Sequence, residues 1–309
     1  MIFEGSEKKA EIVFRDVNLF EKDQDYWSEV VEKCEAKILS SVKTDKVHAY
    51  LLSESSLFVW EDRVLLITCG TTTLVHAVKK LTEDFSIERI ENLIFQRKNE
   101  YCGQMQKTSF FDDKKLLDQI HSGQGLRLGS YHEHHLFLFH LNKEFSPPKD
   151  DWTNEILTYG LEHSASEFLM KSKLSADEIR DFFQFKKYFP DFLLDDFVFD
   201  PFGYSINGVY DDDYFTIHVT PQDCHSYVSF ETSLPFEHIE NGFLSHFLQI
   251  LKPESFDLIR YSPVEINKAA IPKYEIKKHI NSKIECGYEL EFTHYFDPSR
   301  KQTKPVVID

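Results

Sequence analysis

Cysteine is scarce in this chain. Five thiols among 309 residues (Cys34, Cys69, Cys102, Cys224 and Cys286) form an odd set with no CxxC spacing. That excludes a disulfide framework and a paired-thiolate zinc site, and it fits a reducing compartment. Basic charge is also in deficit: 35 Lys and Arg stand against 52 Asp and Glu, for a formal net charge of -17, and no stretch is rich in Lys or Arg. Binding to a phosphate backbone is driven by cationic side chains that release condensed counterions, so nucleic acid is excluded as a main partner and anionic membrane surfaces are disfavoured. Long hydrophobic runs are missing as well. The longest, HHLFLFHL and VLLIT, fall far short of a membrane span, and the charged MIFEGSEKKAE start carries no apolar signal region. The expectation is a soluble, cytoplasmic protein. Apolar residues make up 41% of the chain and aromatics 15%, with 28 Phe and 14 Tyr, far from the composition of a disordered polymer.

Periodicity divides the chain into two halves of similar order. Trp27, Val30, Val31, Cys34 and Ile38 recur at three- and four-residue spacing, which predicts an amphipathic helix over 25–41. Residues 47–52, 55–60 and 64–69 are short apolar runs read as strands. Gly70 and a threonine triplet then lead into a helix beginning at Leu74, with a threonine expected to cap it. A connector, KEFSPPKDD at 143–151, breaks the pattern. Beyond it, Ser175 precedes an Asp-Glu pair and an apolar face of Ile179, Phe182, Phe183 and Phe185, predicting a helix that starts at a serine cap. Strands GYSINGVY, YFTIHVT and SYVSFET follow, then a helical pattern from Phe236 to Leu251. Hairpins mixed with helices, without regular βαβ alternation, imply α+β with antiparallel sheets covered on one face by helices and a weak internal duplication.

Three motifs are near misses. Gly203–Asn207 approaches the hydrolase elbow GxSxG but lacks the closing glycine and leads into a strand. GQGLRLG at 123–129 is not a phosphate-cradling GxGxxG. In the cluster His132, Glu133, His134, His135, strand geometry lets His132 and His134 share a face while His135 points away, so a solvated strand end is favoured over a metal site.

Hairpin geometry supplies a sharper pattern. If the first hairpin is centred on Asp62, Ser55 lies opposite Cys69; if the second is centred between Asp211 and Asp212, Ser205 lies opposite His218. Directly opposed Cβ atoms are roughly 4.5–5.5 Å apart, so each hairpin would set a hydroxyl beside a second reactive group. A slip of one residue would turn the partner to the other face.

These residues stand in LSESSLFV, ITCGTT, FEGSEK, DPFGYSING with FTIHVTP, and SYVSFET, and Tyr288 lies near the end. Together the blocks resemble eukaryotic-type S-adenosylmethionine decarboxylase proenzymes, in family order and at family-like spacing. The resemblance implies a single domain over 1–309, folded as a four-layer αββα sandwich of two antiparallel sheets with outer helices. It implies self-cleavage between Glu54 and Ser55 into chains 1–54 and 55–309, with Ser55 becoming a covalent pyruvoyl group that holds the substrate amine as a Schiff base. His218 and Ser205 would serve the processing, Cys69 would return a proton to substrate, and Glu4 and Glu7 would be acids beside the site. Phe3 and Phe199 would stack on adenine, and Glu54 would border the substrate. The reaction implied is decarboxylation of S-adenosylmethionine to the aminopropyl donor of spermidine and spermine synthesis.

The chain departs from the family pattern at several positions. Gln222 stands where the family has a ribose-binding glutamate; an amide accepts from one hydroxyl but must donate to the other, so ribose binding should weaken. The residues matching a putrescine site are Glu11, Asp151, Thr153, Glu155 and Glu231, four carboxylates and one hydroxyl. Ile67 replaces a lysine of that network and Ile94 an aromatic contact, which leaves the cluster one positive charge poorer and putrescine activation open. Two other readings stay open beside the enzyme: a noncatalytic regulatory paralogue that pairs with an active subunit, and a pyruvoyl decarboxylase of altered substrate. A homodimer of cleaved units is a further expectation of the resemblance.

Overall fold

The computed structural model describes residues 7–100, 103–221 and 226–300. In the first half, β1 (Lys8–Phe14) is followed by α1 (Gln24–Glu32), the strands β2 (Ile38–Lys43), β3 (His48–Leu52), β4 (Ser55–Val59) and β5 (Arg63–Thr68), then α2 (Leu74–Phe85), β6 (Ile90–Lys98), α3 (Phe110–Ile120), β7 (Gly123–Gly129) and β8 (His135–Leu141). The second half runs β9 (Thr153–Tyr159), α4 (His163–Leu169), α5 (Ala176–Phe183), α6 (Phe185–Tyr188), β10 (Leu193–Val198), β11 (Tyr204–Tyr210), β12 (Asp213–Thr220), β13 (Tyr227–Thr232), α7 (Phe236–Ile239), α8 (Ser245–Leu251), β14 (Ser255–Ser262), β15 (Glu275–Lys283) and β16 (Glu289–Phe296). The proline-bearing connector lies between β8 and β9, where the sequence pattern breaks.

Two 8-stranded sheets result, ordered β2-β3-β4-β5-β1-β6-β8-β7 and β10-β11-β12-β13-β9-β14-β16-β15. Each strand of the first sheet occupies the place of the strand eight numbers later in the second, so the duplication is a full topological repeat, stronger than the element order alone indicated. Every pairing is antiparallel. Helices cover the outer face of each sheet. Trp27 and Val30 of α1, Val78 of α2 and Leu117 of α3 pack on Ile12, Leu57 and Phe95. On the other side Phe183, Phe185 and Phe247 pack on Ile206, Phe215 and Phe230. Fully burying one such side chain contributes roughly 1.5–3 kcal/mol. The inner faces meet through two apolar patches, one around Leu138, Leu157 and Phe292 and one around Phe58, Leu65 and Val209. Charged and polar residues lie between these patches, and there the fold becomes chemical.

The structure differs from the periodicity reading in three places. Helix α1 ends at Glu32, and Ile38 opens an edge strand, because Glu35 adopts a positive φ of 67° that L side chains hold only in a break. The heptad-like spacing continued only because Cys34, in the turn, still packs in the same core. The helix after Ser175 breaks at Gln184 (φ 56°), although its start is as expected: Ser175 and Glu178 form a reciprocal capping box. Thr73, at the N-terminus of α2, makes no side-chain cap; the Thr72 hydroxyl is instead directed to Thr68 Oγ1 and the Cys69 carbonyl, both at 2.9 Å.

Candidate active site

A two-residue turn, Ser53–Glu54, joins β3 to β4, with Leu52 paired to Ser55. The Glu54–Ser55 peptide therefore lies where the chain reverses. Ser55 has a φ of 141°, a region L residues rarely enter and one that stores local strain. Strict alternation would turn Ser55 outward with Leu57 and Val59, toward the helices. At this φ its Oγ reaches across the gap between the sheets to His218 Nε2, 2.9 Å away.

The first hairpin corrects the predicted register. Trp60 and Arg63 pair around a two-residue loop, Glu61–Asp62, so Ser55 faces Thr68 and not Cys69. The three-residue loop assumed from sequence counted Arg63 as loop, whereas it is strand and pairs with Val13. The slip moves Cys69 opposite Glu54, on the other side of the same peptide bond. Cys69 N–H donates to the Glu54 carbonyl oxygen at 3.0 Å and its thiol at 3.4 Å. Lys8 Nζ, fully buried, holds the next residue by donating to the Gly70 carbonyl at 2.7 Å. Burial, reinforced by Glu54 and Glu7, pushes the Cys69 thiol up to about 12, so it is a protonated donor at neutral pH.

The second hairpin has the predicted register. Ser205 faces His218 across β11 and β12, and Ser205 Oγ is 2.9 Å from His218 Nδ1. The next inward pair, Asn207 and Thr216, brings Thr216 Oγ1 to 3.0 Å from Nε2. Ser56 enters from the first sheet, 2.6 Å from Asn207 Oδ1. Burial pushes the His218 imidazole down to about 4, so it is neutral at physiological pH. Ser56, Asn207 and Thr216 were absent from the sequence reading; the signal for Asn207 and Thr216 was their place two residues from Ser205 and His218 on the same strand faces, whereas Ser56 joins them only across the gap between the sheets.

Glu7 is buried beside this group, accepting from Lys98 Nζ at 2.5 Å and from the Tyr227 hydroxyl at 3.4 Å. Phe199 follows β10, with its backbone N–H on the Gly203 carbonyl, and lines a cavity of about 210 Å³ together with Val198, Tyr204 and Val219. Phe3, Glu4 and Gln222 lie outside the described residues.

The acids matched to a diamine site gather between the sheets, with three cations, Lys9, Lys98 and Arg63, set among them. Lys9 Nζ lies 2.8 Å from Glu231 and 3.0 Å from Glu155; Lys98 Nζ lies 2.6 Å from Glu155; Arg63 makes a two-pronged contact to Asp151 at 2.6 and 2.8 Å and lies 3.3 Å from Glu11. Gln96 donates to both Glu155 oxygens, and the Tyr288 hydroxyl to Asp151. Against the cost of burial, Lys9 and Lys98 hold Glu155 down to about 2, whereas burial, only partly offset by Lys9, lifts Glu231 to about 7. Ile67 and Ile94 are apolar and buried, and Thr153 lines a neighbouring 480 Å³ cavity with Glu11, Arg63 and Asp151. Of these cations, the inward placing of Lys9 was legible in KKAEIVF, where alternation sends Lys9 and Glu11 to one face together.

The histidine cluster is also corrected. His134 does not fray into solvent: its Nδ1 lies 2.8 Å from Asp257 Oδ2, His294 Nδ1 lies 2.7 Å from Oδ1, and Asn99 donates to the same carboxylate at 2.8 Å. The two imidazoles stack at 3.9 Å. A buried carboxylate that already receives these bonds joins the two sheets as a hydrogen-bonded clasp.

Fold and site together define a duplicated α+β sandwich whose ionisable chemistry is buried between its two sheets. The family model described as adenosylmethionine decarboxylase matches residues 1–296, and the chain belongs to that family. A Dictyostelium discoideum protein named S-adenosylmethionine decarboxylase proenzyme is 30% identical, covering 97% of this chain and 87% of its own length. A Xenopus laevis protein of the same name is 32% identical over 82% of this chain and 81% of its own. A solved Trypanosoma brucei structure, described as an AdoMetDC-delta26 monomer, shares the fold with a TM-score of 0.60 at 23% identity, covering 78% of this chain and 98% of its own.

Proposed function

We propose that this chain is a proenzyme that cuts itself between Glu54 and Ser55 and then decarboxylates S-adenosylmethionine. The observation that carries the reading is the double grip on one peptide: His218 on the Ser55 hydroxyl, and two Cys69 donors on the Glu54 carbonyl. Ser55 Oγ adds to that carbonyl carbon, the C–N bond breaks, and the nitrogen takes the hydroxyl proton. Loss of the Cα proton to water with cleavage of Cβ–Oγ leaves Glu54 as a carboxylate and residue 55 as a dehydroalanine, whose hydrolysis releases ammonia and leaves a ketone. The strained φ and the donors at the developing oxyanion favour the first step, and His218 and Ser205 serve the breakdown of the ester.

The residues present fit a pyruvoyl group formed at this position, since Ser55 is buried against a neutral imidazole and beside a protonated thiol. When formed, its ketone supplies an electron sink for loss of carbon dioxide. Cys69, kept as a thiol by burial, holds a proton for the substrate carbon. The cut pieces stay one unit because β1, within residues 1–54, is hydrogen-bonded on both sides, to β5 and β6.

Putrescine is not required in this reading. Lys9 occupies the centre of the acid cluster with an ammonium of its own, and Arg63 offsets part of the charge at the Glu11–Asp151 end. A reducing, cytoplasmic setting is supported by Cys34, Cys69 and Cys286, which are free thiols. Among the described residues no helix is long and apolar enough to cross a membrane.

The test is a denaturing gel with borohydride trapping of the ketone, followed by carbon dioxide release from carboxyl-labelled S-adenosylmethionine. Two bands, a trapped ketone and released label are expected. A single uncut band with no ketone would leave the noncatalytic paralogue as the better reading, and cleavage without label release would point to another substrate.

A further inference from the structure

His218 Nε2 is approached by three hydroxyls, Ser55 at 2.9 Å, Thr216 at 3.0 Å and Ser56 at 3.4 Å, and the surrounding carbonyls fix where two of their protons go. Thr216 Oγ1 lies 3.1 Å from the Ile206 carbonyl and 3.0 Å from Asn207 Oδ1. Both oxygens accept only, so the single Thr216 proton is committed to a carbonyl. Ser56 Oγ lies 2.6 Å from Asn207 Oδ1 and commits its proton there. Each hydroxyl therefore turns a lone pair toward Nε2, and the contact with Thr216 requires a proton on that nitrogen. Nδ1 is then the unprotonated nitrogen, which the Ser205 hydroxyl satisfies at 2.9 Å. The Ile206 carbonyl holds the Thr216 proton whichever way the Asn207 amide is turned, and as placed the buried Asn207 Nδ2 has no partner among the described residues.

We infer that Thr216, Asn207 and Ser56 are positioning residues that hold neutral His218 as the Nε2–H tautomer, so that the imidazole meets Ser55 Oγ as a hydrogen-bond donor. This rests on the reading that Ser55 is the site of cleavage. It deepens that reading by assigning a direction to the His218 contact. A histidine in this tautomer does not remove the Ser55 hydroxyl proton. It stabilises negative charge on Oγ, the atom that departs with the Glu54 carboxylate when the ester breaks. The polar set is fully enclosed: Ser56 and Asn207 are 0% exposed and Thr216 1%. Water therefore does not compete for these protons, and the carbonyls alone decide the tautomer.

The tautomer is read directly by long-range proton–nitrogen NMR on a histidine-labelled Ser55→Ala chain, which cannot cut itself. The Nε2–H pattern is expected for His218, and the Nδ1–H pattern would overturn the inference. In the same background Thr216→Val should convert His218 to Nδ1–H or to a mixture, while Thr216→Ser should keep the Nε2–H pattern. In the cleavable chain Thr216→Val should slow cleavage by at least ~10-fold, with Thr216→Ser restoring the rate. Cleavage of Thr216→Val at the parent rate would remove its positioning role. Failure of the parent chain to cut itself would overturn the proenzyme reading while the NMR result still stood.

Discussion

The backbone N–H and the thiol of Cys69 converge on one atom, the carbonyl oxygen of Glu54, at 3.0 and 3.4 Å. This places a single residue at both stages of the proposed chemistry, as donor to the scissile carbonyl and as holder of a proton for the substrate. Cys69→Ala should slow cleavage by about 10-fold, the effect of losing one weak donor while the N–H remains, and should reduce turnover of the cut enzyme more severely. Because burial pushes this thiol up to about 12, the thiolate is scarce at pH 8, and iodoacetamide should label Cys69 slowly in the native uncut chain. Mass spectrometry of timed aliquots reads both effects; rapid native alkylation would contradict the half-buried, protonated thiol.

Lys9 is 2% exposed and serves two buried carboxylates, so Lys9→Met leaves Glu155 and Glu231 undercompensated. The expected loss is about 3–5 kcal/mol of stability, measured by urea denaturation, with a matching fall in activity. Putrescine should partly rescue the variant by returning an ammonium to the vacated place. The unmodified chain should respond to putrescine less than about twofold. Strong activation of the unmodified chain would refute self-supplied compensation.

His218 gives a pH dependence of defined sign. Its folded pKa, pushed by burial to about 4, lies below the ordinary 6.5, so the unfolded chain binds the extra proton between these values. Stability is therefore full above pH 6.5 and declines as pH falls toward 4, by about 3 kcal/mol from this group. His294, lowered mainly by burial, acts in the same direction. Denaturation midpoints of the uncut Ser55→Ala chain should drop between pH 7 and 5, and drop less when His218→Gln is added; equal drops would exclude His218 as a source.

Gln222→Glu tests the ribose contact that the family resemblance implies, since a carboxylate would accept from both hydroxyls. Steady-state kinetics should show a lower KM for S-adenosylmethionine with cleavage unchanged, a gain of about 1–2 kcal/mol in binding. An unchanged KM would dissociate Gln222 from the ribose.

Much of the site was legible because strand periodicity is local. The spacing of Ser205 and His218 around Asp211–Asp212 was enough to set them face to face, since Tyr210 and Asp213 close a two-residue loop. The same reasoning missed by one residue at Glu61–Asp62, because nothing in the local sequence tells whether Arg63 ends the loop or begins the strand. Its pairing with Val13, a neighbour only in the folded sheet, decides that. The extent of α1 was overestimated for a similar reason: Ile38 carries the right spacing for a helix, yet its partner is Leu52.

By itself the sequence determined the alternation of faces, the duplicated order of elements and the family blocks, all of which depend on residues near one another along the chain. Only the tertiary structure decided that Lys9, Lys98 and Arg63 pair with the buried acids, that Cys69 faces Glu54, and that hydroxyls from both sheets surround one imidazole. Those relationships join residues as much as 222 positions apart, as Lys9 and Glu231 are. They exist because burial between two sheets makes an unpaired charge or hydroxyl costly enough that partners must be found across the gap.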